Sequence, residues 1–237
     1  MTRSRIVPTL SRFALFCVAL LLAGCGGSDT PSVPLIINPG GTGTMTLQVN
    51  AQALGADAGP GGSLNTDFIV AVSDTLGGPV SGAAVAVQTP YGIVTLTEDP
   101  LTPGTYNGVS SAYQPGVYSV SVVRGPDNVS GVSVVGPDIH TITSPAAQAT
   151  VGKDIPIDVR WTRSATAQES RVETRDYVGN WSMSDPGVMT VPASGNPPRV
   201  DQRFRVKRAN RQAAAGGLAG SDFRVRIRTT VEPVISQ

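Results

Sequence analysis

Six cationic side chains follow a period of two near the end of the sequence. They are Arg203, Arg205, Lys207, Arg224, Arg226 and Arg228. Because successive side chains of a β-strand point to opposite faces, each run of three predicts a strand with one buried side and one basic side. Arginine binds phosphate, sulfate and carboxylate groups through paired N–H bonds. We therefore predict a surface that binds a polyanion or an acidic partner. The alternative is a solvated face that discourages edge pairing.

The two basic strands are expected to form a hairpin. With Phe204 opposite Ile227 and Val206 opposite Val225, the cations would face each other as 203/228, 205/226 and 207/224. Like charges directly opposite each other destabilise a sheet. We therefore expect compensating negative charge from Glu173 on a neighbouring strand, from an acidic first half of the chain or from an external anion.

Residues suited to catalysis or metal binding are scarce. The only histidine, His140, falls in a region predicted to join two domains, where a solvated surface position is favoured over a catalytic role. Two cysteines and one histidine are too few for a zinc site. Glu98 and Asp99 could bind calcium, but they lack a calcium-loop motif and are better explained as solvated turn residues. The sequence therefore predicts neither an enzyme nor a cofactor.

The first 25 residues predict export of the chain and its attachment to a membrane. Basic residues precede an apolar run from Phe13 to Leu22, a pattern typical of a secretory signal and too short for a permanent membrane helix. The stretch Leu22-Ala23-Gly24-Cys25 resembles the lipobox of bacterial lipoproteins. The resemblance implies that residues 1–24 are removed and that Cys25 carries acyl chains such as palmitate. Because no Asp follows Cys25, it also implies the outer membrane. A plain secretory cleavage site beside an unmodified Cys25 is the alternative.

Composition favours an all-β fold. Charged residues make up only 15% of the chain, while 27 glycines and 19 prolines supply turn signals between short alternating runs. After a flexible tether over residues 25–43, these runs predict two consecutive immunoglobulin-like β-sandwich domains, residues 44–137 and 138–237. Residues 26–150 carry eight acidic residues and one basic residue, whereas residues 151–237 carry fourteen basic and nine acidic residues. This asymmetry favours separate modules.

Two further resemblances agree with this architecture. The motif Asp74-x-x-Gly77-x-Pro79-Val80-x-Gly82-Ala83-x-Val85, followed by Gly104-x-Tyr106 and Gly116-x-Tyr118, resembles bacterial immunoglobulin-like and carboxypeptidase-regulatory-like modules. In the second half, Phe204-x-Val206-x-Arg208-Ala209-Asn210 is similar to the penultimate strand of fibronectin type III domains. Trp161 would be the core tryptophan of that family. These resemblances imply a fold and core positions, and they say little about a ligand.

These observations predict a non-enzymatic, lipid-anchored cell-envelope protein with binding or adhesion modules. Its expected partners are the lipid bilayer, through Cys25, and an acidic glycan, a lipopolysaccharide or an envelope protein; no specific nucleic acid is expected. The alternatives are an envelope-anchored hydrolase or carbohydrate-active protein, and a structural spacer within an envelope assembly.

Overall fold

The computed structural model describes residues 41–57 and 64–237, which belong to one compact unit. They form fifteen β-strands and one 3-10 helix, Ala193–Gly195, and the described residues contain no α-helix. The strands are β1 (Thr42–Gly43), β2 (Gln48–Asp57), β3 (Leu64–Ser73), β4 (Ala84–Thr89), β5 (Gly92–Glu98), β6 (Thr105–Ser110), β7 (Val117–Arg124), β8 (Asp127–Val135), β9 (Ile142–Ser144), β10 (Thr150–Val151), β11 (Ile157–Trp161), β12 (Glu169–Glu173), β13 (Val188–Val191), β14 (Arg199–Ala213) and β15 (Asp222–Ser236). Within this part of the chain, no helix has the length and apolarity needed to cross a membrane.

The first hydrophobic core lies between two layers of strands. One layer runs β1-β8-β7-β4-β5 and the other runs β6-β3-β2-β15, and β5 joins them because its last residues pair with β6. The period-two pattern of the sequence places Val85 and Val87 of β4 opposite Phe68 and Val70 of β3 in this core. The all-β fold class with sandwich packing is therefore confirmed.

A second, smaller core lies between a three-stranded sheet and the far part of the large sheet. The small sheet has the order β13-β11-β9 and contributes Val159 and Trp161. Strands β12, β14 and β15 contribute Val172, Phe204 and Val234 to the same cluster. Trp161 is therefore a core tryptophan, as its resemblance implied.

The β14–β15 hairpin belongs to both cores. Its two strands have 15 residues each, and β15 pairs in parallel with β2 from Asp222 to Arg228. Phe223 and Ile227 pack in the first core, whereas Phe204 packs in the second. The hairpin thus contributes residues to both cores. The predicted domain boundary at residues 137/138 stays a prediction.

The signal peptide and Cys25 lie outside the described residues. Of the predicted tether, only its last three residues are described, and Thr42 and Gly43 form β1 by pairing with Ser130 and Val129 of β8.

Candidate functional site

The six predicted cations lie on one face of the hairpin. Phe204 and Val206 of β14 and Val225 and Ile227 of β15 are completely buried on the opposite face. The cations themselves are half-buried, because their aliphatic stems lie along the sheet. The predicted separation into a buried side and a basic side is therefore present.

The predicted hairpin register is wrong. Phe204 faces Val231, and Val206 faces Thr229. The predicted cation pairs 203/228, 205/226 and 207/224 do not form; the facing cations are 207/228 and 211/224. The cause is that β14 continues through Ala213, which still pairs with Asp222, so the connecting turn is shorter and its centre lies later in the chain.

The observed register separates two of the arginines from facing cations. Arg205 faces Thr230, and Arg226 faces Ala209. Because repulsion between like charges is strongest directly across strands, this register lowers the cost of collecting so many cations on one face.

Two buried glutamates neutralise one part of the basic face. Glu173 of β12 forms ion pairs with Arg171 at 2.5 Å and with Lys207 at 2.8 Å. Burial alone would raise the pKa of Glu173, but Lys207 and Arg171 hold it below its ordinary value. The expectation that Glu173 offsets the cations is thus confirmed. The second carboxylate, Glu169, lies 3.2 Å from Arg211.

Trp181 covers this neutralised part. Its ring lies 4.8 Å from the guanidinium carbon of Arg171 and 5.6 Å from that of Arg224. Both distances are within cation–π range. Arg224 also lies 3.5 Å from Glu169, so its charge interacts with both this carboxylate and the Trp181 ring.

Four arginines on the same face have no acidic partner. We call them the unpaired arginine cluster: Arg203, Arg205, Arg226 and Arg228. Among the described residues, none of the four forms an ion pair. Their Nε atoms, like those of Arg171 and Arg224, are buried without a hydrogen-bond partner among the described residues. Of the four guanidinium groups, only that of Arg226 donates to a side chain, that of Gln52.

Burial and neighbouring cations lower the pKa of two arginines of the cluster, although Glu173 acts in the opposite direction on both. Burial and then the neighbouring Arg203 and Arg228 lower the pKa of Arg205. Burial and then Arg224 lower the pKa of Arg226. Arginine stays protonated at neutral pH despite such shifts, because its ordinary pKa is above about 12. The cluster is therefore a crowded positive surface that an external oxyanion would stabilise.

The opposite face of the hairpin holds a buried arginine. Arg208 is completely buried and donates from Nε to Asp185 at 2.8 Å and from Nη1 to Asp138 at 2.7 Å. Asp185 also accepts the indole N–H of Trp161 at 3.0 Å and the backbone N–H of Ala167 at 3.0 Å. Every charge in this network has a partner, so the network is a structural feature of the buried region around Arg208.

His140 is part of this buried region, so its predicted solvated surface position is wrong. The ring is 1% exposed, and its Nε2 lies 3.2 Å from the carbonyl oxygen of Val206. Burial, with Arg208 next in importance, lowers the pKa of His140 to about 4. The neutral ring of His140 is therefore a core residue of this buried region.

The acidic turn residues considered for calcium bind the backbone. Glu98 accepts the N–H groups of Gly82 and Gly104 at 2.8 and 2.9 Å, and Asp99 accepts that of Leu101 at 2.9 Å. Within residues 41–57 and 64–237, no three metal-ligating side chains come together.

Comparison with solved structures gives distant similarities. No protein-family model matches the sequence, and no curated protein matches it. The solved structure of the Yersinia pseudotuberculosis adhesin InvE is 17% identical with a TM-score of 0.28, over 79% of this chain and 60% of that one. The D0–D1 domain of intimin is 14% identical with a TM-score of 0.27, over 78% of this chain and 98% of that one. The chain thus spans less than two thirds of the InvE chain, and neither similarity assigns a function.

Proposed function

We propose that this chain is a non-enzymatic binding protein of a bacterial cell envelope, held by lipid at Cys25, whose unpaired arginine cluster binds an acidic polymer. The supporting observation is the division of the basic face. Buried glutamates neutralise Lys207 and Arg224, whereas Arg205 and Arg226 form no ion pair with any described residue. Cations packed beside each other without an ion-pair partner make the face electrostatically costly, and an external oxyanion would lower that cost.

The chemistry of the cluster favours oxyanions on a repeating polymer. Guanidinium groups make paired N–H contacts to phosphate, sulfate and carboxylate. Because the cations lie on adjacent strands about 5 Å apart, neighbouring arginines can contact successive charged groups of one chain. An acidic polysaccharide or a lipopolysaccharide meets these requirements, and adhesion to such a surface is the proposed role.

Binding to acidic polysaccharide and to lipopolysaccharide tests the proposal on the whole mature chain, because the hairpin contributes to both cores. Affinity should fall steeply with added salt, since exposed charges are screened over about 8 Å at physiological ionic strength. The affinity of the double variant Arg205→Glu/Arg226→Glu should be at least about tenfold lower. The matched control Lys153→Glu/Arg160→Glu makes the same change in net charge away from the cluster, so it should retain binding. A folded double variant that binds like the unchanged protein would contradict the proposal.

The lipid anchor has its own test. Mass spectrometry of the N-terminal peptide should find Cys25 as the first residue, with acyl chains attached. Cys25→Ser should release the protein from membranes or leave the precursor uncut. An unmodified thiol, or cleavage at another position, would remove the anchor from the proposal without affecting the arginine cluster.

A further inference from the structure

The arginines of the unpaired arginine cluster form a row along the sheet. Lys207 of β14 faces Arg228 of β15, so Arg205 lies two residues along β14 from the position beside Arg228. Arg203 lies two residues further in the same direction. Arg226 lies two residues from Arg228 in the opposite direction on β15. The order of the four arginines along the sheet is therefore 203, 205, 228 and 226.

Strand geometry gives the spacing of this row. Two residues along an antiparallel strand span about 7 Å, and neighbouring strands lie about 5 Å apart. Arg203 and Arg205 are therefore attached about 7 Å apart, and so are Arg228 and Arg226. The diagonal step from Arg205 to Arg228 is about 8 Å. The whole row is about 20 Å long and no wider than two adjacent strands.

The electrostatic neighbours of Arg205 agree with this order. Burial is the first cause of its lowered pKa, and the next causes are Arg203 and Arg228, the residues on either side of it in the row. Each of these repulsions arises between successive positions of the row. A chain of negative charges lying along the row would therefore relieve them one after another.

Strand β2 borders one side of the row with uncharged side chains. Leu54 faces Arg226, and Ala56 faces Arg228. Leu54 is half-buried, so part of its side chain is accessible on this face. Ligand sites combine such apolar contact with a few placed polar groups. The strip along β2 can therefore hold the uncharged ring of a sugar while its acidic group contacts an arginine.

Strand β12 borders the other side of the row with charges that are already paired. Glu173 faces Arg205, but its carboxylate forms ion pairs with Arg171 and Lys207. Within the part of the chain that the structure describes, the row is thus a narrow strip of unpaired positive charge between a neutral strand and a neutralised one.

We propose that the unpaired arginine cluster is a linear track for one extended acidic polysaccharide that carries a carboxylate or sulfate group on each repeat. This inference rests on the proposed function and names the class of ligand within it. A compact anion contacts only neighbouring arginines, because the row is about 20 Å long. An extended chain contacts all four at once, so its affinity sums several weak contacts within one complex.

Size-defined oligomers of galacturonic acid, with one carboxylate on each sugar, test the inference on the whole mature chain. At low salt, affinity should increase about threefold with each added sugar until the oligomer spans the row, and little beyond that length. Citrate is the compact control, because it carries the same three carboxylates as the trimer. It should bind at least about tenfold more weakly than the trimer, since its charges cannot reach separate arginines.

Single substitutions test whether the whole row takes part. Arg203→Gln and Arg228→Gln should each reduce the slope of log affinity against log salt concentration by about one for an oligomer that spans the row. The matched control is Arg199→Gln on the same strand as Arg203. Its side chain already pairs with Asp176 and Asp201, so the slope should stay unchanged.

The outcomes separate this inference from the proposed function. If long polygalacturonate binds but affinity does not depend on oligomer length, or if citrate binds as well as the trimer, the linear track is wrong and the acidic-polymer function stands. An unchanged salt slope for both Arg203→Gln and Arg228→Gln would overturn the track in the same way. Binding of lipopolysaccharide without binding of any oligomer would assign the cluster to a compact phosphate ligand and also overturn it. If no acidic polymer binds at all, the proposed function fails and the inference fails with it.

Discussion

Arginines on the two faces of the β14–β15 hairpin differ in burial and in their pairing with carboxylates. Arg208 on the inner face is completely buried and is bound by Asp138 and Asp185. Arg205 and Arg226 on the outer face are half-buried, and within residues 41–57 and 64–237 neither forms an ion pair. Burial of a charge without compensation is very costly, so the inner arginine must be paired for the chain to fold. The outer arginines can stay unpaired because their head groups reach water, and this leaves them available for a ligand.

The largest expected effect comes from removing the inner acid. Asp185→Ala removes the fully buried one of the two carboxylates that pair with Arg208, and it removes an acceptor from Trp161. We expect a loss of about 3–5 kcal/mol in the free energy of unfolding, measured by urea denaturation. The matched control is Asp201→Ala, whose side chain is 56% exposed and pairs with surface arginines, and which should cost less than about 1 kcal/mol. Equal costs for the two variants would contradict a structural role of the inner network.

The next effect is acid destabilisation through His140. Its pKa is about 4 in the folded protein against 6.5 as the ordinary value, so the unfolded chain binds the proton more readily. Stability should therefore fall as the pH falls from 7 toward 4, by about 2 kcal/mol between pH 7 and pH 5. Because His140 is the only histidine, this window isolates it from the carboxylates.

His140→Gln provides the control for the pH dependence. Glutamine can donate to the Val206 carbonyl oxygen but does not titrate, so the variant should unfold at nearly the same urea concentration at pH 7 and pH 5. A variant that keeps the full acid sensitivity would show that another group carries it.

The contrast between the two faces also shows what the sequence could predict. Alternation placed Phe204 and Val206 in the core and Arg205 and Lys207 outside, and Glu173 followed from its position on a neighbouring basic strand. The same alternation also places Arg208 on the inner face, so its burial follows from the period of two.

The hairpin register and the position of His140 could not be derived in the same way. The register depends on where a glycine- and alanine-rich turn closes, and such residues accept several turn lengths. His140 lies in an irregular segment, so no period indicates its burial. Trp181 likewise lies in a loop, and only the folded chain brings it to Arg171 and Arg224.

A smaller effect is expected when the neutralised part of the outer face loses its acid. Glu173→Gln removes the carboxylate that pairs with Arg171 and Lys207, so two more cations become uncompensated. The free energy of unfolding should fall by about 1 kcal/mol, because glutamine still accepts a hydrogen bond. Affinity for an acidic polysaccharide should increase about threefold at low salt and converge with that of the unchanged protein at high salt. Weaker binding by this variant would mean that Glu173 positions cations for the ligand.

The smallest effect, and the one most specific to the unpaired cluster, is expected for Arg226→Gln. Arg226 faces Ala209, is repelled by Arg224, and donates only to Gln52. Removing its charge should change the free energy of unfolding by less than about 0.5 kcal/mol, with stabilisation as the expected sign. Arg224→Gln is the matched control two residues earlier on the same strand, and it loses both Glu169 and the ring of Trp181. That variant should be destabilised by about 1 kcal/mol, since a partly buried ion pair and a cation–π contact are lost together. Opposite signs for these two substitutions in urea melts at low salt would establish that Arg226 is retained at a cost to stability, as a residue kept for binding would be. Equal destabilisation by both would mean that the outer arginines, like Arg208, serve the fold.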